Sequence, residues 1–184
     1  MTVEHLIRRY GLEPHPEGGW YREVHRSARS IRRDDGERRA ALTTILFLLQ
    51  AGEFSRWHRV SGADETWHHA GGAPLELFSL PPAGGDLRRQ RLATIGFERP
   101  DGHAQHESRH AEVSAVLAAG PHPGLENSEP LAVVPAGWWQ AARSLGAWSL
   151  VSCCVGPGFE FADFSLLREL PIGDRPVEAL PDFL

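Results

Sequence analysis

The feature that most constrains the fold is a succession of short apolar, β-branched segments separated by clusters of glycine, proline and aspartate. The segment 41–49 (ALTTILFLL) is apolar with almost no alternation, which is typical of a strand that is buried on both faces or of one that lines a barrel. Short strands at this spacing indicate a β-sandwich or barrel. The pattern predicts an all-β chain with strands at 41–49, 54–60, 65–70, 75–80, 92–97, 131–134, 138–143 and 147–155.

Helical periodicity is strongest at the start of the chain. Val3, Leu6, Ile7 and Tyr10 recur at helical spacing, and Gly11 is a residue at which helices commonly end. The sequence therefore predicts one short amphipathic helix within residues 1–11.

The remaining segments are connections. We expect turns at 12–19, an extended arm at 20–27, a charged loop at 31–39 and a solvated excursion at 98–129 that allows one short helix at 112–119. The length of 184 residues and the 41% hydrophobic content suit one core. They predict a single domain with a helix at 1–11, a barrel at 12–169 and a proline-rich surface tail at 170–184.

Composition disfavours several classes of partner. The net charge is −5 and the arginines are scattered among acids, so no basic stripe for nucleic acid is present. No segment approaches the roughly 20 apolar residues that span a bilayer, and the first residues do not resemble a signal peptide. Cys153 and Cys154 are adjacent in an apolar run, which indicates reduced core thiols. We expect a cytoplasmic protein without a membrane partner.

The densest group of chemically useful side chains lies at 54–72 (FSRWHRVSGADETWHHAGG). Strand alternation places Arg56 and His58 on one face of the first strand, and Glu65, Trp67 and His69 on one face of the second. If these faces point inward, the barrel interior contains a guanidinium, imidazoles and a carboxylate. Such groups are costly to bury without a function.

Three other stretches add candidates. In VVPAGWWQAA (133–142), a turn precedes a strand with Trp138 and Gln140 on one face, and Phe159 and Phe161 in VGPGFEF (155–161) line the barrel if they face inward. His15 and Glu17 lie in the PHPEGG turn, for which we favour a rigid loop that caps backbone donors. The alternative is a loop that closes the barrel mouth.

These motifs together resemble the cupin family known as DUF985 or Cupin-5. The resemblance rests on PHPEGGW, WHRV to WHHAG, PLEL, VVPAGWWQAA and VGPGFEF, in consistent order from about residue 6 to 164, apart from the stretch 98–129. It implies a cupin double-stranded β-helix, or jelly-roll barrel, and a homodimer formed through the N-terminal arm. It implies neither an activity nor a substrate.

The wider cupin superfamily binds a metal through two histidines, a glutamate and a later histidine. The resemblance matches His58 and Glu65 to two of these positions, whereas Arg56 and Gln140 stand at the other two. Arginine cannot act as a ligand, and an amide oxygen is weaker than imidazole. A divalent Zn, Fe, Mn or Ni site would use His58, Glu65 and Gln140, with His68 or His69 recruited.

Three functions remain open. The leading hypothesis is an isomerase, epimerase or lyase acting on a small anionic metabolite, in which His58 transfers a proton and Glu65 orients the His58 imidazole. Arg56 would bind the anionic group and Gln140 a carbonyl or hydroxyl, with Trp67, His69, Trp138, Phe159 and Phe161 around the substrate. The alternatives are a metal-dependent oxygenase or isomerase and a non-catalytic module that binds a small molecule.

Overall fold

The computed structural model describes residues 1–95 and 128–184. The chain opens with the predicted helix, α1 (Val3–Tyr10), whose N-terminus is capped by the Thr2 hydroxyl at 3.3 Å from the His5 backbone nitrogen. Gly11 ends it with a left-handed φ of 60°. Leu6 is buried against Leu48, so the helix covers one face of the barrel.

The strands of the described residues form two six-stranded sheets and one two-stranded hairpin, which confirms the all-β prediction. The strands are β1 (Glu13–Pro14), β2 (Trp20–Arg26), β3 (Ser30–Arg32), β4 (Arg38–Ala40), β5 (Thr43–Gln50), β6 (Phe54–Val60), β7 (Asp64–Gly72), β8 (Leu75–Leu80), β9 (Arg88–Leu92), β10 (Ser128–Glu129), β11 (Leu131–Val134), β12 (Trp139–Ser144), β13 (Trp148–Gly156) and β14 (Phe164–Leu166). The first six-stranded sheet has the order β1-β2-β5-β13-β7-β11 and the second β10-β9-β8-β12-β6-β14. Their facing sides share one core, in which Phe47 and Trp67 of the first sheet pack with Leu77 of the second.

Two local predictions are wrong. The charged segment 31–39 is not a loop, because β3 and β4 pair as a hairpin whose turn is closed by a 2.9 Å bond from the Arg33 nitrogen to the Glu37 oxygen. The strand predicted at 92–97 ends at Leu92, because β9 pairs with β8 from Arg88 onward. Backbone pairing outweighs the charged composition of β9. Residues 96–127, which contain most of the predicted excursion and its short helix, lie outside the described residues.

The C-terminal tail lies on the outer face of the second sheet. The Trp57 indole nitrogen donates to the Leu180 oxygen at 3.0 Å, and Phe183 is buried against Phe54, Trp57 and Phe78. This contact closes the outer face of β6, so the inner face of the same strand is free to line the interior. In the part of the chain that is described, no helix is long and apolar enough to cross a membrane.

Strand β6 contains an irregularity that decides which side chains face inward. Gln140 of β12 lies opposite His58, but Ala142 lies opposite Ser55, so three steps on β6 match two on β12. One extra residue in a strand is a β-bulge, and it interrupts the alternation of side chains. As a result, Ser55 and His58 both point into the barrel.

Candidate functional site

A cavity of about 150 Å³ opens at one end of the barrel. Its walls are mainly aromatic and its polar groups are mainly carboxylates. Its floor is formed by buried side chains of β6, β7 and β13, and its mouth by half-buried and exposed ones. Within the described residues the lining contains Tyr21, Phe47, Trp67, Phe159, Phe161 and Phe164, the acids Glu13, Glu17, Glu23, Glu65 and Glu160, and His15, His58, Arg26 and Cys153.

Glu17 reaches the cavity floor because two glycines follow it. Gly18 and Gly19 have φ values of 109° and 69°, which favour glycine. A Cβ atom at Gly18 would collide with the Phe54 oxygen, and one at Gly19 would lie 2.8 Å from the Leu48 oxygen. The loop is therefore pressed onto the sheets, and the Glu17 backbone oxygen accepts from the Arg56 nitrogen at 2.9 Å.

Three polar side chains converge on the Glu17 carboxylate, which is 5% exposed. The Ser55 hydroxyl donates to Oε1 at 2.8 Å, while His15 Nδ1 and His58 Nε2 lie 3.2 and 3.3 Å from Oε2. Burial acts to raise the pKa of Glu17, but attraction to His58 and His15 and the Ser55 hydrogen bond outweigh it, so this pKa lies below its ordinary value. Glu17 is the ionised carboxylate of the floor.

The contacts of His58 assign its protons. Its Nδ1 lies 2.8 Å from the Arg56 backbone oxygen, and because a carbonyl only accepts, Nδ1 carries a hydrogen. Nε2 faces the Glu17 carboxylate, an arrangement that is favourable when one more proton lies between the two atoms. The ring also stacks on Phe164 at 5.6 Å. His58 and Glu17 thus form a proton-holding pair at the end of the cavity.

Glu65 lies in a different environment on the same floor. The Trp67 indole donates to Gln140 Oε1 at 2.9 Å, and Gln140 Nε2 donates to Glu65 Oε2 at 2.6 Å. Burial raises the pKa of Glu65, and the charge of Glu17 adds to this, although His58 opposes it. Burial likewise raises the pKa of the Cys153 thiol. The two carboxyl groups therefore have pKa values displaced in opposite directions, a pattern that separates a base from an acid.

The mouth of the cavity is held by a buried ion-pair cluster. Asp163 follows Phe161 in a short 3-10 helix and accepts from Arg39 at 2.6 and 2.9 Å and from Arg33 at 3.0 Å. The hydrogen bond from Arg39, together with the charges of both arginines, lowers the pKa of Asp163. The Phe159 nitrogen donates to Thr43 Oγ1 at 2.9 Å. These contacts fix the segment that carries the mouth aromatics.

Sequence comparison identifies the family. The family model described as Cupin superfamily (DUF985) matches residues 4–167 of the chain. The chain belongs to the DUF985 family of cupins. This confirms both the resemblance and the predicted double-stranded β-helix.

Solved structures agree with the assignment. A hypothetical protein from Leishmania major is 30% identical, with a TM-score of 0.67 over 90% of this chain and 86% of that one. A protein from Shewanella oneidensis is 30% identical, with a TM-score of 0.66 over 90% of this chain and 84% of that one. The capsular polysaccharide assembling protein CapF from Staphylococcus aureus shares the fold alone, at 9% identity and a TM-score of 0.52 over 84% of this chain and 31% of that one. A comparison with curated proteins gave no match.

Five of the side chains singled out from the sequence of this DUF985 cupin line the cavity, and a sixth supports it. Gln140 does not line the cavity but holds Glu65 by a hydrogen bond. On β7 the alternation was predicted correctly, because Glu65 and Trp67 both face the interior. The five lining residues are His58, Glu65, Trp67, Phe159 and Phe161.

The other three candidates lie elsewhere. Arg56 is displaced from the inner face by the bulge, and its Nη1 lies 3.4 Å from the Glu17 backbone oxygen. His69 is buried away from the cavity, with its ring nitrogens 2.8 Å from Thr94 Oγ1 and 2.8 Å from the Ala73 oxygen. Trp138 sits in the turn before β12, under the guanidinium of Arg88 at 4.2 Å. None of the three lines the cavity.

Three lining residues of the floor that fall outside the nine candidates are His15 and Glu17, for whose turn the sequence favours a rigid loop, and Cys153, which the sequence assigns to the core. Ser55, which binds Glu17, is not singled out by the sequence either. The contacts at Gly18 and Gly19 hold this loop against the sheets, and its acid points into the barrel. A glycine pair directly after a charged residue was the available signal, because such a pair permits close approach of two backbones.

The metal ligand set of other cupins does not fit this floor. The Trp67 indole can only donate, so the Gln140 atom that faces it is the oxygen, and this oxygen is already engaged. The first histidine position of that ligand set is occupied by Arg56, which does not line the cavity. Across residues 1–95 and 128–184, no group of three or more His, Cys, Asp or Glu side chains is placed to hold a metal ion. The set His58, Glu65 and Gln140 is therefore not a metal site in this arrangement, and no catalytic step is assigned to a metal.

Proposed function

We propose that this DUF985 cupin is a proton-transfer enzyme, of isomerase, epimerase or lyase type, acting on one small polar molecule in the barrel. The observation that carries the proposal is the floor itself. His58 is paired with the ionised Glu17, and Glu65, whose pKa is raised by burial, faces the same cavity. Opposed pKa values on neighbouring groups are the requirement for acid and base chemistry in one site.

Each residue of the floor has its own role in the proposed reaction. In the form of the pair whose Nε2 has given up its proton, His58 takes a proton from a carbon next to a substrate carbonyl and returns it to that carbon, while Glu17 stabilises the imidazolium that forms in between. The pair therefore gains and loses one proton in each turnover. Glu65, favoured in its protonated form by burial, donates a hydrogen bond to the substrate oxygen as negative charge develops there. Gln140 and Trp67 hold the Glu65 carboxyl in place.

The structure changes two roles expected from the sequence. Glu17 rather than Glu65 contacts the His58 imidazole, so Glu17 is the orienting carboxylate. Arg56 does not line the cavity, and the one guanidinium among the described lining residues, Arg26, is paired with Glu23 and Glu160. An anionic ligand therefore lacks its expected partner, and we do not propose one.

A non-catalytic binding module is the second candidate. The observation in its favour is that both imidazole nitrogens of His58 already have protein partners, the Arg56 oxygen and Glu17. A substrate must compete with Glu17 for Nε2 before a proton can move. In a module that only binds, this contact never opens.

Isotope exchange separates the two candidates. Small polar metabolites that raise the melting temperature are incubated with the protein in D₂O, and deuterium in the ligand is measured by NMR. We expect exchange at carbon that falls at least 100-fold in His58→Gln, since general acid-base groups contribute roughly 100- to 10,000-fold. His68→Gln is the matched control, because His68 is absent from the lining and contacts Thr66.

Two results would overturn the proposal. Equal exchange in His58→Gln and the unmodified protein would remove His58 from the reaction. Tight binding of a ligand that never exchanges or converts would leave the binding module as the function.

A further inference from the structure

The cavity mouth is built from aromatic rings in mutual contact. Phe159 and Phe161 meet at 5.1 Å between ring centres, and Phe164 lies 6.1 and 6.2 Å from them, all at steep angles. Phe161 is 54% exposed although it lies among these rings. Ring faces carry partial negative charge, so a ring-lined opening of this kind attracts organic cations.

The polar groups of the lining have an excess of acids over bases. At the mouth, Arg26 forms ion pairs with Glu23 at 2.8 Å and with Glu160 at 2.7 Å. Glu13 therefore has no basic partner among the described side chains that line the cavity. Burial, followed by the charges of Glu13 and Glu23, raises the pKa of Tyr21. Even with His15, His58 and Glu65 all protonated, carboxylates outnumber cations in the described lining.

The floor and the mouth differ in what they offer a ligand. The floor has hydrogen-bonding groups that suit a hydroxyl or carbonyl oxygen, namely His58, Glu17 and Glu65. The mouth has aromatic faces and exposed acids. A volume of about 150 Å³ suits a molecule near the size of benzene.

We propose that the ligand is a small organic cation, an amine or quaternary ammonium compound that also carries a hydroxyl or carbonyl group. The ammonium lies at the mouth among Phe159, Phe161 and Glu13, and the oxygen points to His58 and Glu65 on the floor. This inference rests on the proposed function only for the identity of the reacting site. The charge preference is a property of binding and can be measured alone.

Three compounds of nearly one shape test the charge preference. Choline, its uncharged carbon analogue 3,3-dimethylbutan-1-ol and the anion 3,3-dimethylbutanoate are titrated into the full chain by calorimetry and by NMR. We expect choline to bind at least tenfold more tightly than the neutral alcohol, and the anion not to bind at equal concentration. The tenfold figure corresponds to about 1.4 kcal/mol, within the range of a desolvated cation–π contact.

Substitutions then locate the cation. Phe161→Leu keeps an apolar side chain but removes the ring, and should weaken choline about fivefold while leaving the neutral alcohol unchanged. Glu13→Gln should weaken choline alone by a similar factor. Glu169→Gln, an exposed acid outside the lining, is the control that should change neither.

The proposal fails if the neutral alcohol binds as well as choline, if the anion binds best, or if choline does not bind at 10 mM. Its failure is distinguishable from that of the proposed function. A choline preference that persists in His58→Gln, together with an absence of isotope exchange for every ligand, would sustain the cation site and refute only the proton transfer.

Discussion

Replacing Glu17 by glutamine should destabilise the protein in a pH-dependent way. The substitution keeps the shape of the side chain, and the amide oxygen can still accept from Ser55, but the charge facing His15 and His58 is lost. Hydrogen bonds to charged groups contribute roughly 1.5–3 kcal/mol, against roughly 0.5–1.5 kcal/mol for neutral ones. Weakening two imidazole contacts by about 1 kcal/mol each lowers the free energy of unfolding by about 2 kcal/mol at pH 7.

The sign of the pH dependence follows from the pKa of Glu17, which is lower in the folded state than its ordinary value. A carboxyl group with a depressed pKa binds fewer protons when folded, so it stabilises the fold above its unfolded pKa of about 4.3. That stabilisation disappears as the pH falls through the folded pKa. The difference between the unmodified protein and Glu17→Gln is therefore largest near neutral pH and shrinks below pH 4.

Urea unfolding followed by circular dichroism, at several pH values between 3 and 8, measures this difference. A loss of about 2 kcal/mol moves the midpoint by about 1 M urea, since slopes are typically 1–3 kcal/mol/M. Glu169→Gln, an exposed acid, should stay within about 0.5 kcal/mol at every pH. Equal stability of Glu17→Gln and the unmodified protein at pH 7, or a difference that does not change down to pH 3, would refute an ionised, paired Glu17.

Four further outcomes are expected. Glu65 has a raised pKa, so its ionisation costs stability as the pH rises from about 4.3 through the folded pKa. In urea titrations over that pH range, the free energy of unfolding of Glu65→Gln should therefore rise relative to that of the unmodified protein. Phe183→Ala should lower the free energy of unfolding in urea by about 3–5 kcal/mol, because it leaves a cavity between the tail and the second sheet. Leu184→Ala, at a side chain that is 38% exposed, should lower it by less than about 0.5 kcal/mol. Asp163→Asn removes one of the two carboxylates that pair with each of Arg33 and Arg39, which keep Asp35 and Glu37, and should lower the free energy of unfolding in urea by about 1.5–3 kcal/mol. We expect a homodimer through the β2 edge, which beyond Tyr21 has no strand partner on its outer side among the described residues, and a monomer in sedimentation velocity at micromolar concentration would contradict it.

The fold was predictable where one local pattern determined the outcome. The run 41–49 has apolar residues on both faces because both faces of β5 are covered: Phe47 and Leu49 belong to the core between the sheets, and Leu48 packs with Leu6 of α1. Helix α1 was predictable from Leu6 and Gly11 because its period and its end are both local. The hairpin of β3 and β4 could also have been recognised, since Asp35 and Gly36 form a turn dipeptide that was outweighed by the surrounding charges.

The site was predictable only in part, because its geometry depends on contacts between distant segments. Alternation placed Glu65 and Trp67 correctly, since β7 is regular between them. It failed for Arg56, because the bulge in β6 is defined by pairing with β12, more than 80 residues away in sequence. Whether a strand carries a bulge cannot be read from its own residues when no glycine marks it.

The same tertiary contacts explain why this DUF985 floor differs from the metal-binding cupin pattern. The bulge removes position 56 from the interior and brings in Ser55, whose hydroxyl binds the Glu17 carboxylate. The glycine pair after Glu17 lets that carboxylate lie beside His58 Nε2, the atom that would otherwise be free to bind a metal. The Glu17 carboxylate and a shared proton therefore lie next to the imidazole, where other cupins have a metal cation. Because loop, bulge and imidazole depend on one another, widening the loop with Gly18→Ala should separate Glu17 from His58 and remove the pH dependence attributed to Glu17, even though the substituted side chain is not itself ionisable.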